Sequence, residues 1–186
     1  MKPILFNTDM VRAILSGKKT QTRRIVKGYL KKDLEIDTDG HTVIGIYNQD
    51  DGYVHPILDY APYIPGDILY VRETFGYGYY AAFGQKTFYK ADYPNGKPDF
   101  VVKWRPAIHM PKEAARIFLC VTNVRVERLQ SIPHEDLRKE GISADDNLMR
   151  KQFRGIWDLT TIDRRHKWDA NPFVWVIEFK WIEKEE

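Results

Sequence analysis

Short runs in which apolar and polar residues alternate dominate this 186-residue chain. Alternation marks half-buried strands, because successive side chains in a strand point to opposite faces. Lys2–Phe6, Ile68–Glu73, Arg116–Arg128 and Phe173–Phe179 read as strands on this basis, with weaker strands at His41–Tyr47 and Lys86–Ala91. Helical spacing occurs three times. Val11, Ile14 and Leu15 follow the capping run Asn7-Thr8-Asp9, and Gly17 ends that helix. Pro133 to about Lys139 forms a second helix, with Gly141 just beyond it. Leu148, Phe153, Ile156 and Trp157 form a third. Between them, Pro65-Gly66-Asp67 signals a tight turn, and Trp104–Pro111 reads as a loop with two prolines. Strands outnumber helices and follow no βαβ repeat. That order predicts an α+β domain in one piece and is consistent with a small barrel.

The first helix leads into Lys19-Thr20-Gln21-Thr22-Arg23-Arg24-Ile25-Val26, whose β-branched residues favour an extended chain. In a strand here, Thr20, Thr22 and Arg24 share one face, Arg23 points to the other, and Lys19 sits at the helix-to-strand corner. Charge sharpens the picture. Residues 1–32 hold nine Lys or Arg against Asp9 alone, a balance of +8 in a chain whose net charge is +3. The remainder therefore carries −5, and a basic patch facing a polyanion is expected.

Other features narrow the field. Cys120 is the only cysteine, so no intramolecular disulfide forms. The five histidines are scattered, which argues against a structural zinc site, and neither metal nor cofactor is expected. No apolar run of 18 residues and no signal-peptide pattern occurs, so the expectation is a cytoplasmic protein without a membrane partner.

Two chemistries suit the Lys19–Arg24 segment. An amine beside a hydroxyl can make a nucleophile, and clustered cations can hold phosphate. A solvated basic loop is the bland alternative. Arg72 and Glu73 end a strand and are candidates for the same site, or else an ion pair at its rim. Trp104 and His109 flank the proline-containing loop, where an aromatic ring could stack on a base or simply pack. For the aromatics between Tyr77 and Tyr93, packing within a hairpin is the better reading than a stacking platform.

Gly17-Lys18-Lys19-Thr20-Gln21-Thr22-Arg23-Arg24 resembles the signature of the ASCH domain family, within the PUA-like superfamily. Pro65–Val71, Leu129–Gly141 and Val174–Lys180 resemble later segments of that family in the same order. Val71–Phe75, Ile108–Pro111 and Val124–Leu129 are similar to the longer ASCH proteins of bacteriophages and prophages. The resemblance implies a PUA-like mixed β-barrel with flanking short helices and a cleft beside the first helix. It implies one domain over 1–186, with insertions at about 27–62 and 75–111. A bacterial member hydrolyses the amide of N4-acetylcytidine with a Lys, a Thr and a Glu, which fall on Lys19, Thr22 and Glu140. Arg24 is kept from that signature, while Gln21 and Arg23 replace aliphatic residues. The implied activity is an amidohydrolase for an acylated pyrimidine nucleoside. Arg23, Arg24, Arg72, Glu73, Trp104 and His109 are its candidate binding residues. An RNA-binding PUA-like module, or a ribonuclease using the same basic cleft, is the alternative. The expected partner is thus a nucleoside or RNA.

Overall fold

The computed structural model describes residues 1–26, 34–38, 43–48, 50, 52–80 and 84–183. The elements in chain order are β1 (Lys2–Leu5), α1 (Thr8–Leu15), β2 (Gln21–Ile25), β3 (Leu34–Thr38), β4 (Val43–Asn48), β5 (Tyr53–His55), β6 (Ile68–Arg72), β7 (Phe75–Tyr80), β8 (Gly84–Tyr89), β9 (Val101–Arg105), β10 (Phe118–Arg128), α2 (His134–Lys139), α3 (Asp146–Thr160) and β11 (Phe173–Ile182). They group into two compact units. The first takes Met1–Lys19, Asp67–Cys120 and Lys180–Glu186, and the second takes Thr20–Gly66 and Val121–Phe179.

In the first unit β1 runs parallel to β6, and the start of β10 pairs antiparallel with β6. Helix α1 is capped by the Asn7 side chain, which accepts from the Met10 amide at 2.9 Å. It buries Val11 and Ile14. Phe75, Met110, Ala115 and Phe118 form an apolar cluster in this unit. The inserted stretch 75–111 carries its own three-stranded sheet, in the order β8-β7-β9. Trp104 therefore belongs to a strand, not to the loop expected from its neighbouring prolines. A β-branched run, Val101-Val102, starts that strand, and Pro106 ends it.

The second unit is built on β11, which pairs antiparallel with β2. Val174 and Val176 of β11 join Leu137 of α2 and Met149, Phe153 and Trp157 of α3 in a core that also holds Leu129, Ile132 and Trp168. Helix α3 buries Met149, Phe153 and Trp157 at spacings of four, whereas Leu148, expected on that face, is exposed. The inserted stretch 27–62 carries a second three-stranded sheet, β3-β4-β5. The expected strand at 41–47 is observed as Val43–Asn48, and His41 and Thr42 lie outside the described residues.

The architecture is α+β, mostly strand with few helices. The expected barrel is not what these strands form. The strand orders are open, because a barrel needs its terminal strands to pair and no closing pair occurs among the described residues.

Candidate active site

Strand β2 divides the signature between two faces. Its register with β11 sets Gln21, Arg23 and Ile25 opposite Glu178, Val176 and Val174, and sets Thr22 and Arg24 opposite Ile177 and Trp175. Paired residues project to the same side, so Arg23 faces the helix-packed core and Thr22 and Arg24 face away from it. This is the division expected from the sequence.

Thr22 and Arg24 meet directly. Arg24 Nη1 donates to Thr22 Oγ1 at 2.9 Å and to the Arg23 carbonyl at 3.1 Å. Burial pushes the Arg24 guanidinium below its ordinary pKa, and Glu140 and Tyr63 oppose that shift. A cation placed on a hydroxyl oxygen stabilises negative charge developing there. Glu140 caps the C-terminus of α2, and Gly141, at φ 85°, turns the chain after it. The Thr20 amide donates to the Lys139 carbonyl at 2.9 Å, which ties the start of β2 to the end of α2.

Arg23 is committed to carboxylates. Its Nη1 donates to Glu140 Oε1 at 2.9 Å, its Nη2 to Asp136 Oδ2 at 3.0 Å, and both Nε and Nη2 to Glu127 Oε1 at 3.0 and 2.5 Å. Its side chain is only 1% exposed. Burial works against the charge, but Glu140 and Glu127 outweigh it and hold the guanidinium above its ordinary pKa. Arg125 adds bonds to Glu127, Asp136 and Glu178. For Asp136, burial favours the neutral acid, yet donors from Gln21, Arg23 and Lys139 prevail and lower its pKa.

Lys19 lies three residues before Thr22 and belongs to the first unit. Gly17, at φ 72°, takes the left-handed turn that ends α1, and the Lys18 and Lys19 amides both donate to the Ala13 carbonyl. Its ammonium lies 5.9 Å from the centre of the Phe6 ring. Lys19, Thr22 and Glu140 are 2%, 1% and 8% exposed, so none of the three is a surface side chain.

The remaining candidates are also in the first unit. Arg72 donates to the Ile108 carbonyl, beside the exposed His109. Glu73 does not pair with Arg72. Its buried carboxylate accepts from Arg116 Nε at 2.9 Å and Nη2 at 3.2 Å, and Arg116 in turn grips Asp92 at 2.8 Å twice. Burial raises the Glu73 pKa although Arg116 pulls it down. Trp104 packs, with its ring 6.1 Å from Tyr93 and against the backbone of Gly76. The sequence reading missed Arg116, Arg125, Glu127 and Asp136. The one available signal was the alternation of Arg125 with Glu127 in a strand otherwise built for a core.

No family model matches the chain, and no curated protein matches it. Solved structures similar to it include two of bacterial origin. One is protein EF3133 from Enterococcus faecalis V583, of family model DUF984, at 7% identity and a TM-score of 0.47, with 98% of this chain and 82% of that one covered. The other is an ASCH domain from Lactobacillus crispatus JV V101, at 14% identity and a TM-score of 0.37, with 94% of this chain and 72% of that one covered.

Proposed function

We propose that the protein is an amidohydrolase acting on an acylated pyrimidine nucleoside such as N4-acetylcytidine. The observation that carries this reading is the buried Thr22 hydroxyl accepting a 2.9 Å hydrogen bond from Arg24. A threonine oxygen is a weak nucleophile until a base takes its proton and a cation steadies the resulting charge. Arg24 supplies the cation. Lys19 is assigned as the base and Glu140 as the carboxylate, following the resemblance of the signature to the ASCH family.

In this reaction the Thr22 proton passes to the Lys19 amine as Oγ1 bonds to the acyl carbon. The C–N bond then breaks, and the exocyclic amine of the base leaves with that proton. Water activated by Glu140 adds to the acyl group, releasing the carboxylate and restoring the hydroxyl. Arg23 fixes Glu140 through its 2.9 Å bond, so the carboxylate is oriented before substrate arrives.

The buried signature residues favour a small substrate over a polyanion lying on that segment. Phosphate binding needs exposed cations, and Arg23 is spent on three carboxylates. The test is incubation with N4-acetylcytidine, other acylated nucleosides and RNA, followed by chromatography. Release of cytidine from N4-acetylcytidine is the expected result. No release from any acylated nucleoside overturns the proposal.

A further inference from the structure

The sheet β8-β7-β9 has two unlike faces. Gly76 and Gly78 alternate with Tyr77 and Tyr79 along β7. A Cβ on Gly78 would come within 2.7 Å of the Phe88 ring and of the Phe100 carbonyl, and one on Gly76 within 2.7 Å of Val101. Only glycine fits beneath that aromatic layer, in which the tilted rings of Phe88 and Phe100 lie 4.9 Å apart and Tyr93 meets Trp104. This face is closed by its own side chains.

The other face packs on the Phe75, Met110, Ala115 and Phe118 cluster at the Phe75 end and is open at Tyr79. The register places Tyr77 opposite Thr87 and Tyr79 opposite Gln85. Phe75 lies opposite Arg105, so alternation puts Arg105 and Lys103 on the same side. Phe75 is buried at the strand's start, Tyr77 is half-buried against it with ring centres 5.5 Å apart, and Tyr79 is 73% exposed. The Arg105 guanidinium sits 5.1 Å from the centre of the Tyr77 ring, and Lys103 and Arg105 are both exposed. Strands β7, β8 and β9 hold Lys86, Lys103 and Arg105 and not one Asp or Glu.

We infer that the open end of this face of the inserted sheet binds single-stranded nucleic acid, with Tyr79 as the stacking platform and Lys103 and Arg105 on the phosphates. Stacking on an exposed ring tolerates any base, and the absence of acids from the three strands suits a polyanion. A duplex hides its bases and offers no such contact. This site is separate from the amide chemistry assigned to Thr22 and does not depend on it.

The experiment is fluorescence anisotropy of the full chain with labelled oligouridine, oligodeoxythymidine and a duplex of equal length, at about 50 mM and about 200 mM salt. One or both single strands are expected to bind more tightly than the duplex, and the two arms say whether RNA or DNA is preferred. Tyr79→Ala is expected to weaken binding about 5- to 150-fold, while Tyr79→Phe, which keeps the ring, retains it. Lys103→Gln is expected to reduce the salt slope by about 0.7. Thr22→Ala is expected to bind as the wild type does. Absence of single-strand binding, equal binding of duplex, or an unchanged affinity in a folded Tyr79→Ala variant overturns the inference.

Discussion

Arg23 is the residue on which the second unit's charge balance turns. A guanidinium with three carboxylates around it and 1% of its side chain exposed cannot be removed without taking from all three a buried charge partner, which Arg125 replaces only in part at Glu127 and Asp136. Arg23→Leu is expected to destabilise the protein by about 3–5 kcal/mol, read as a lower urea midpoint. Arg23→Lys keeps the charge but not the planar fork, so it should fall between that variant and wild type. A midpoint unchanged in Arg23→Leu would mean that the cluster contributes nothing to folding. Sequence alone told which way Arg23 points, because alternation along a strand fixes the face. It could not tell what Arg23 meets, because Glu127 and Asp136 lie more than 100 residues away and arrive only through strand pairing and helix docking.

The elements that alternation marked most clearly, β1, β2, β6, β10 and β11, were legible nearly to their ends, and so were the three helices. Strands β3, β5 and β9 were not. Leu34-Glu35-Ile36-Asp37-Thr38 does alternate, but Asp and Gly around it look like turn chemistry, and Val101–Arg105 was hidden by the prolines on either side. Strand β7 carries a prediction of its own. Gly78→Ala places a methyl carbon 2.7 Å from both a ring and a carbonyl oxygen, so the aromatic layer must shift. A loss of about 1–3 kcal/mol is expected, read as a lowered thermal midpoint with Trp104 fluorescence altered. If Gly78→Ala is as stable as wild type, that layer is loosely packed.

At the scale of the whole chain, β10 and β11 each contribute residues to both compact units. Melting either strand in one unit unties it in the other, so a single unfolding transition is expected. Far-UV circular dichroism and tryptophan fluorescence should give coincident curves, and two separated transitions would show the units to be independent. Acid stability follows from Asp136. Its folded pKa lies below the unfolded value of about 3.9, so it contributes stability that is complete above that value and is lost as pH falls through the folded one. Asp136→Asn should therefore lower stability at neutral pH and flatten the acid limb of the stability profile. An acid limb as steep as that of wild type would place the titration elsewhere. Turnover by the intact chain tests the central claim most directly, through kcat/KM on N4-acetylcytidine for wild type, Thr22→Ala and Lys19→Arg. Thr22→Ala keeps the Arg24 bond to the Arg23 carbonyl and should remain folded. Loss of at least about a thousandfold is predicted for Thr22→Ala, with a comparable loss for Lys19→Arg, whose guanidinium cannot act as a base. A folded Thr22→Ala protein that releases cytidine within about tenfold of the wild-type rate would contradict the account.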